Sequence, residues 1–289
     1  LNELTSFVKK LKIPCYVIGV GLKESYEPDF SQPKPQDEAV KKFVTAVLEK
    51  SNCIGVRGEL TGKYLETLGF AEGRDFMVIG CPSMYMKGKR LHIQNPKLDV
   101  NSKVCFNSNV AASVPTRKFI KLKMKEFENH YFIGQVVNEL RSIYLGAPYE
   151  YKIEYNFRNV TDKIYQDGRL RFFCNVPKWM EFLNDSDLTF GSRLHGNIAA
   201  VLAGTPALLV TKDSRTRELA EYHHLNAIHE SKLNEKLTLQ DLVEQQDFTQ
   251  IEKYQKQNLD RYVAFLKKND IPNIFMDGED PQETAFDRK

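Results

Sequence analysis

An arginine and a histidine two positions apart, Arg193 and His195, lie in the run L-T-F-G-S-R-L-H-G-N-I-A-A-V-L-A-G-T-P-A-L-L-V, Leu188 to Val210. A guanidinium is a planar, permanently charged fork suited to phosphate or carboxylate. An imidazole can move a proton near neutral pH. Together they suggest an anion-binding acid/base site. The flanking pattern says where such a site would stand. Leu188-Thr189-Phe190 reads as a short apolar strand and Gly191-Ser192 as a turn. Leu194 to Ala203 reads as a buried, Ala-rich helix, followed by a Gly204-Thr205-Pro206 turn and a second strand, Ala207 to Val210. The pair therefore falls where a strand's carboxyl end meets a helix start, the ligand side of α/β sheets. The unpaired N–H groups of a first helical turn favour anions there. A structural reading stands beside this one: Arg193 capping a neighbouring carbonyl or pairing with Asp185 or Asp187, and His195 a satisfied core histidine.

The elements that would position these residues form a βα series. Strands are expected at Tyr16–Val20, Cys53–Val56, Phe76–Ile79, Val104–Phe106, Tyr131–Ile133, Arg171–Cys174, Leu188–Phe190 and Ala207–Val210. Between them run helical stripes such as Val40, Phe43, Val44, Val47 and Leu48, or Val136, Val137, Leu140 and Ile143. Strands alternating with helices imply an α/β protein with parallel sheets covered on both faces. The polar stretch Lys87–Lys103, with its Pro and Asn turn formers, predicts a boundary, giving domains at 1–101 and 102–235 and terminal helices with a tail at 236–289. Leu1–Leu11 reads as a helix, and the amphipathic stretch Thr238–Lys268 as a terminal helix that could pack back over the first domain. The polar tail Asp277–Lys289 reads as disordered. Gly21–Gln36 is a long loop, either bordering a binding site or an inert insertion.

Composition narrows the function classes. With 41 basic and 38 acidic residues, a formal net charge of +3 gives no argument for nucleic acid. The run Lys118–Lys125 reads as a solvated helix face. No apolar run approaches the roughly 18 residues needed to span a bilayer. Cys15, Cys53, Cys81, Cys105 and Cys174 form no C-x-x-C pair and read as buried structural thiols in a reducing compartment. The sequons at Asn159 and Asn184 are what chance supplies. Gly19-Val20-Gly21 does not complete a dinucleotide fingerprint, and neither a Walker loop nor H-E-x-x-H is present. His223 and His224 read as a surface helix end. Nothing in the sequence sets an oligomeric state.

G-S-R-L-H-G-N with the downstream G-T-P-A-L-L-V resembles the carboxyl-terminal signature of the polysaccharide pyruvyl transferase family. Cys53–Gly69, C-I-G-V-R-G-E-L-T-G-K-Y-L-E-T-L-G, is similar to that family's strand, arginine and helix ending in Leu-Gly. Val78–Ser83 resembles its strand before the domain crossover, and Asp213–Glu218, D-S-R-T-R-E, its loop after the strand that follows the R-L-H helix. The resemblance spans roughly residues 13 to 225. It implies two Rossmann-like βα domains in a glycosyltransferase-B-like arrangement, with the amino-terminal domain expected to be incomplete.

What it implies chemically is transfer of a pyruvyl group from phosphoenolpyruvate to a sugar diol of a polysaccharide or its lipid-linked precursor, forming a ketal and releasing phosphate. Phosphoenolpyruvate is then a co-substrate, with no cofactor and no metal. The enzyme would be cytoplasmic, in peripheral contact with the inner face of a membrane that carries its acceptor. On this reading Arg193 and Ser192, with the N–H groups of Leu194 and His195, bind the donor, and His195 is the general acid or base. Many family members carry Ser-x-Arg at the end of the second domain's first strand. Here Cys105-Phe106-Asn107-Ser108-Asn109 lacks that arginine. Arg215 is the expected donor-side substitute, with Arg117 and Arg57 also weighed; Asn107, Asn109 and Arg117 are expected on the acceptor side. The alternatives are a nucleotide-sugar glycosyltransferase on the same scaffold and a catalytically defective paralogue.

Overall fold

The computed structural model describes residues 1–109, 111–147 and 160–275. The sequon at Asn159 and the tail Asp277–Lys289 lie outside the described residues. The chain forms two compact units and crosses between them after Arg90, Lys212, His224 and Glu252.

Unit 1 opens with α1 (Asn2–Lys10) and α2 (Asp37–Leu48), followed by β1 (Ile54–Val56), α3 (Glu59–Thr67) and β2 (Phe76–Val78). β1 and β2 pair in parallel, Ile54 opposite Phe76 and Val56 opposite Val78. The expected strand at Tyr16–Val20 is extended backbone beside β1. It donates Gly19 N–H to the Gly55 carbonyl and accepts Gly55 N–H at Val17, but forms only an isolated bridge at Val20. Val44, Val47, Val56, Tyr64, Leu65, Phe76 and Val78 make the core, with Val8 of α1 sealed into it.

Unit 2 begins with β3 (Val104–Asn107), α4 (Val114–Lys123), β4 (His130–Gly134), α5 (Val137–Leu145), α6 (Lys163–Gln166), β5 (Leu170–Phe172) and α7 (Val176–Asn184). β6 (Leu188–Gly191), α8 (Leu194–Leu202) and β7 (Ala207–Thr211) follow. The chain then enters unit 1 for α9 (Ser214–His223) and returns for β8 (Ala227–His229) and α10 (Leu239–Glu244). Most of α11 (Gln250–Lys268) belongs to unit 1.

The six strands of unit 2 are all parallel, in the order β5-β4-β3-β6-β7-β8. The chain starts in the middle at β3, works outward to β5, then returns to the other side of β3 with β6. Such a reversal opens a crevice beyond the carboxyl ends of the two central strands. β3 and β6 run in register from Val104–Leu188 to Asn107–Gly191. Both are buried along their whole length, as strands covered on two faces must be. Phe106 and Phe190 meet edge to face between them, their centroids 6.3 Å apart.

Several expectations need correction. The division falls at Arg90 rather than residue 101, and α9, inside the expected 102–235 domain, belongs to unit 1. The reason is α9's packing on α3. The Glu218 carboxylate accepts Thr61 N–H at 2.9 Å, and a Cβ on Gly58 would lie 2.7 Å from that of Glu218. The terminal helix is two helices, α10 and α11, interrupted after Gln245. The second of them supplies Phe265 and Leu266 to a unit 1 cluster with Cys53 and Ile79. Lys123 is not on a solvated face; it is buried, paired with Glu126 at 2.6 Å and lies over the Phe119 ring. Among the cysteines, all free thiols, Cys174 is exposed and Cys15 half-buried.

Candidate active site

The turn from β6 into α8 is built by close approach. A Cβ on Gly191 would stand 1.9 Å from the Asn107 carbonyl oxygen, so only glycine lets β6 end against β3 here. The Ser192 N–H reaches that carbonyl at 3.3 Å, and the Arg193 N–H donates to Asn107 Oδ1 at 2.8 Å. From the helix side, Asn197 Nδ2 donates to the carbonyls of Gly191 at 3.1 Å and Arg193 at 2.9 Å. Arg193 is the N-cap residue of α8 and its side chain does not cap. The opening amides of Leu194, His195 and Gly196 therefore begin the helix without a side-chain acceptor, the condition under which a helix start attracts an anion. α8 is otherwise buried; His195, in its first turn, is the exposed exception. Its ring makes no hydrogen bond among the described residues.

The Arg193 guanidinium is not an open fork. Nε donates to the Ser108 carbonyl at 2.7 Å, and Nη2 donates to Glu139 Oε1 at 2.6 Å. The arginine side chain is 10% exposed and the glutamate fully buried. The other oxygen of Glu139 accepts the N–H groups of Gln135 and Val136, the latter at 3.1 Å. Glu139 is the third residue of α5, where a carboxylate can close back on the helix start. One carboxylate thus ties the turn after β4 to the turn after β6, while Arg193 ties both to the end of β3. Of the two structural roles open to Arg193, carbonyl capping is realised, but the ion pair is with Glu139. Asp187 accepts Lys103 N–H instead.

The other expected site residues act mainly within the loop after β3. The Asn107 side chain is occupied by the Arg193 amide. Asn109 donates its N–H to Ser192 Oγ at 3.0 Å and accepts Ala111 N–H at 2.9 Å. Since Ser192 Oγ accepts there, its proton is directed elsewhere. Arg117 is buried and donates to the Ala112 carbonyl, so it braces the loop from beneath. Lys212, directly after β7, donates to the Ala111 carbonyl. Ser113 and Thr116 both donate to Glu230 Oε2 at 2.8 Å. Arg215 and Arg57 are in unit 1: Arg215 lies 3.9 Å from Asp213, and Arg57 Nε donates to the Gly19 carbonyl. Sequence reasoning missed Glu139, Lys212 and Gln135. The Gln135 Nε2 is buried without a hydrogen-bond partner, and a Cβ on Gly196 would come within 2.4 Å of it.

Unit 1 carries two buried titratable groups on α9. Burial raises the Glu218 carboxyl to about 7, against the opposing pull of its Thr61 hydrogen bonds and the Arg57 charge. Burial lowers His223 to about 3. His223 is therefore no surface residue: its Nε2 accepts Cys81 N–H at 2.8 Å, between the rings of Tyr85 and Tyr222. Among the described residues no group of three or more His, Cys, Asp or Glu could hold a metal ion.

With this geometry in view, comparison with known proteins is decisive at the level of family. The family model for polysaccharide pyruvyl transferase matches residues 3–214. The chain belongs to the polysaccharide pyruvyl transferase family. The matched stretch of this family member runs from α1 through β7 and contains the whole β6–α8 turn. No curated protein matches the chain. Several solved structures give remote likenesses. One is the glycotransferase of kitacinnamycin, at 13% identity and TM-score 0.39, covering 83% of this chain. This chain spans 63% of that protein's length. Another is a Listeria monocytogenes protein assigned as a UDP-N-acetylglucosamine 2-epimerase, at 11% identity and TM-score 0.46, covering 98% of this chain and 81% of that one. A third is S. aureus MnaA with UDP, at 12% identity and TM-score 0.44, covering 98% of this chain and 82% of that one. At these levels none carries a residue role or a substrate across.

Proposed function

We propose that this chain transfers a pyruvyl group from phosphoenolpyruvate to a sugar diol of a polysaccharide or its lipid-linked precursor. One observation carries the reading: the family's R-L-H segment lies at the β3/β6 reversal of unit 2, with an uncapped helix start and an exposed, unbonded histidine in its first turn. The donor's phosphate and carboxylate would be held by the N–H groups of Leu194 and His195 and by the Ser192 hydroxyl, with Arg193 behind them. His195 would deliver a proton to the terminal carbon of the enol while one acceptor hydroxyl attacks the carbon bearing phosphate. The second hydroxyl would then displace phosphate; of the two hydroxyl protons released, one restores His195 and the other leaves with the phosphate. Net, one C–H, two C–O and one O–H bond on the phosphate form, and the C=C π bond, the C–OPO3 bond and two O–H bonds break. Phosphoenolpyruvate is a co-substrate in this scheme, and no cofactor enters it.

We further propose that Arg215, Asn107, Asn109 and Arg117 contribute no more than framework to donor binding, and that Lys212 is a better candidate than Arg215 for a second cation. Lys212 follows β7 within unit 2. No helix among the described residues is long and apolar enough to cross a membrane. We propose that a lipid-linked acceptor would be met by peripheral contact at the cytoplasmic face of its membrane. The test is release of inorganic phosphate from phosphoenolpyruvate, measured over a panel of glycan acceptors with mass spectrometry of the product. A mass gain of one pyruvyl ketal supports the reading. Glycosyl transfer from a nucleotide sugar, with no phosphate release, would replace it with the glycosyltransferase alternative.

A further inference from the structure

We propose that Glu139 is a positioning residue for this site, acting by holding the Arg193 guanidinium in a single orientation. The inference rests on the reading that the start of α8 binds the donor anion.

The carboxylate has little freedom. One oxygen takes the N–H groups of Gln135 and Val136, so any rotation would give up both hydrogen bonds at the start of α5. The other oxygen faces Arg193 Nη2 at 2.6 Å, and Nε, on the same edge of the guanidinium, donates to the Ser108 carbonyl at 2.7 Å. Held by the first turn of α5 and by the loop after β3, the guanidinium plane is fixed at two points. The charge balance points the same way. Arg193 and Glu139 sum to zero, so this arginine is not a bare attractive cation. Its contribution lies in where its remaining N–H groups are directed. A group whose effect is direction rather than charge matters more to the reaction step than to binding.

Glu139→Gln separates the two. The amide oxygen can still accept from Gln135 and Val136, but its NH2 then faces Nη2, donor against donor. Arg193 then loses the carboxylate that restrains it. Turnover should fall on the order of 10–100-fold, the scale of misplacement by about 1 Å. The KM for phosphoenolpyruvate should stay level or fall. The decisive measurement is a double-mutant cycle on turnover with Arg193→Lys. If Glu139 acts through Arg193, the double variant matches Arg193→Lys within about twofold; independent, multiplying effects overturn the proposal. A raised KM with unchanged turnover also overturns it. Should Glu139→Gln fail to fold, Glu139→Asp keeps the charge but withdraws it by one methylene. Lowered turnover at constant KM then supports the role, and wild-type turnover overturns it. If the wild type releases no phosphate from phosphoenolpyruvate, the transfer reading fails while the Glu139 inference remains testable by phenylglyoxal modification mapped to Arg193. Modification of Arg193 at least about tenfold faster in Glu139→Gln than in wild type supports the restraint, and equal rates refute it.

Discussion

Removing the Arg193 charge should strand a buried carboxylate, and the size of the effect can be worked from the contacts. Glu139 is fully buried and its Oε1 has Arg193 Nη2 at 2.6 Å. In Arg193→Met the chain volume is roughly kept, but the buried Glu139 carboxylate loses its ion-pair partner. Breaking one side of a buried ion pair costs about 3–5 kcal/mol. For a domain of this size that corresponds to a fall in Tm of roughly 6–20 °C. Adding Glu139→Gln removes the stranded charge and leaves a neutral amide still capping α5. The double variant should then lose only the roughly 1–3 kcal/mol of an imperfectly satisfied polar group. It should be more stable than Arg193→Met alone. Thermal and urea unfolding followed by circular dichroism reads all three proteins. An Arg193→Met protein within about 1 kcal/mol of wild type would refute the reasoning. So would a double variant less stable than the single one.

Three further outcomes are expected. His195→Gln should keep the fold and donor affinity but slow turnover by about 10²–10⁴-fold, read by phosphate release; near-wild-type turnover would leave His195 outside the chemistry. Gly191→Ala should cost about 3 kcal/mol or more, because the new Cβ meets the Asn107 carbonyl, a backbone atom that cannot step aside; unchanged unfolding would show that the β6 end can relax. Stability against pH should expose Glu218 and His223 separately. Glu218, raised from 4.5 to about 7, gives stability that is present below 4.5 and is lost as pH rises towards 7. His223, lowered from 6.5 to about 3, gives stability that is present above 6.5 and is lost as pH falls towards 3. Between 4.5 and 6.5 the two slopes oppose, so wild-type unit 1 should be nearly flat there. Glu218→Gln should unmask loss of stability on acidification, and His223→Gln loss on alkalinisation, each of about 1.4 kcal/mol per pH unit at most. Parallel curves for the three proteins would contradict both assignments.

The βα series was legible because its strands are short, mostly apolar runs between turn formers, as in Leu188–Phe190 and Ala207–Val210. β8 was not, since Ala-Ile-His is three residues long and has no apolar run to announce it. The β6–α8 turn was legible to within one residue from Gly191-Ser192 and the Ala-rich helix beyond; Gly191 closes β6 instead of opening the turn. Its supports were not. Glu139 is a helix-start acceptor behind Val136, which lacks the hydroxyl that marks a capping pair in sequence. Arg117 looked like one more surface cation, and only the fold shows its guanidinium turned inward to Ala112. The unit to which α9 belongs depends on the Glu218–Thr61 bond, 157 residues apart in sequence and invisible to local pattern. His223 and His224 do diverge as adjacent helical residues must. One enters the core and the other takes the left-handed C-cap, a choice set by Cys81 and the tyrosines rather than by neighbours in the chain.

The most direct test of the central claim is titration of the isotope-labelled chain with phosphoenolpyruvate, following backbone amides by nuclear magnetic resonance. We expect saturable shifts concentrated at Asn109, Ser192, Leu194, His195 and Gly196, weaker ones at Gln135 and Val136, and no competition from uridine diphosphate. Absence of saturable shifts at the start of α8, or displacement of phosphoenolpyruvate by uridine diphosphate from those same amides, would contradict it.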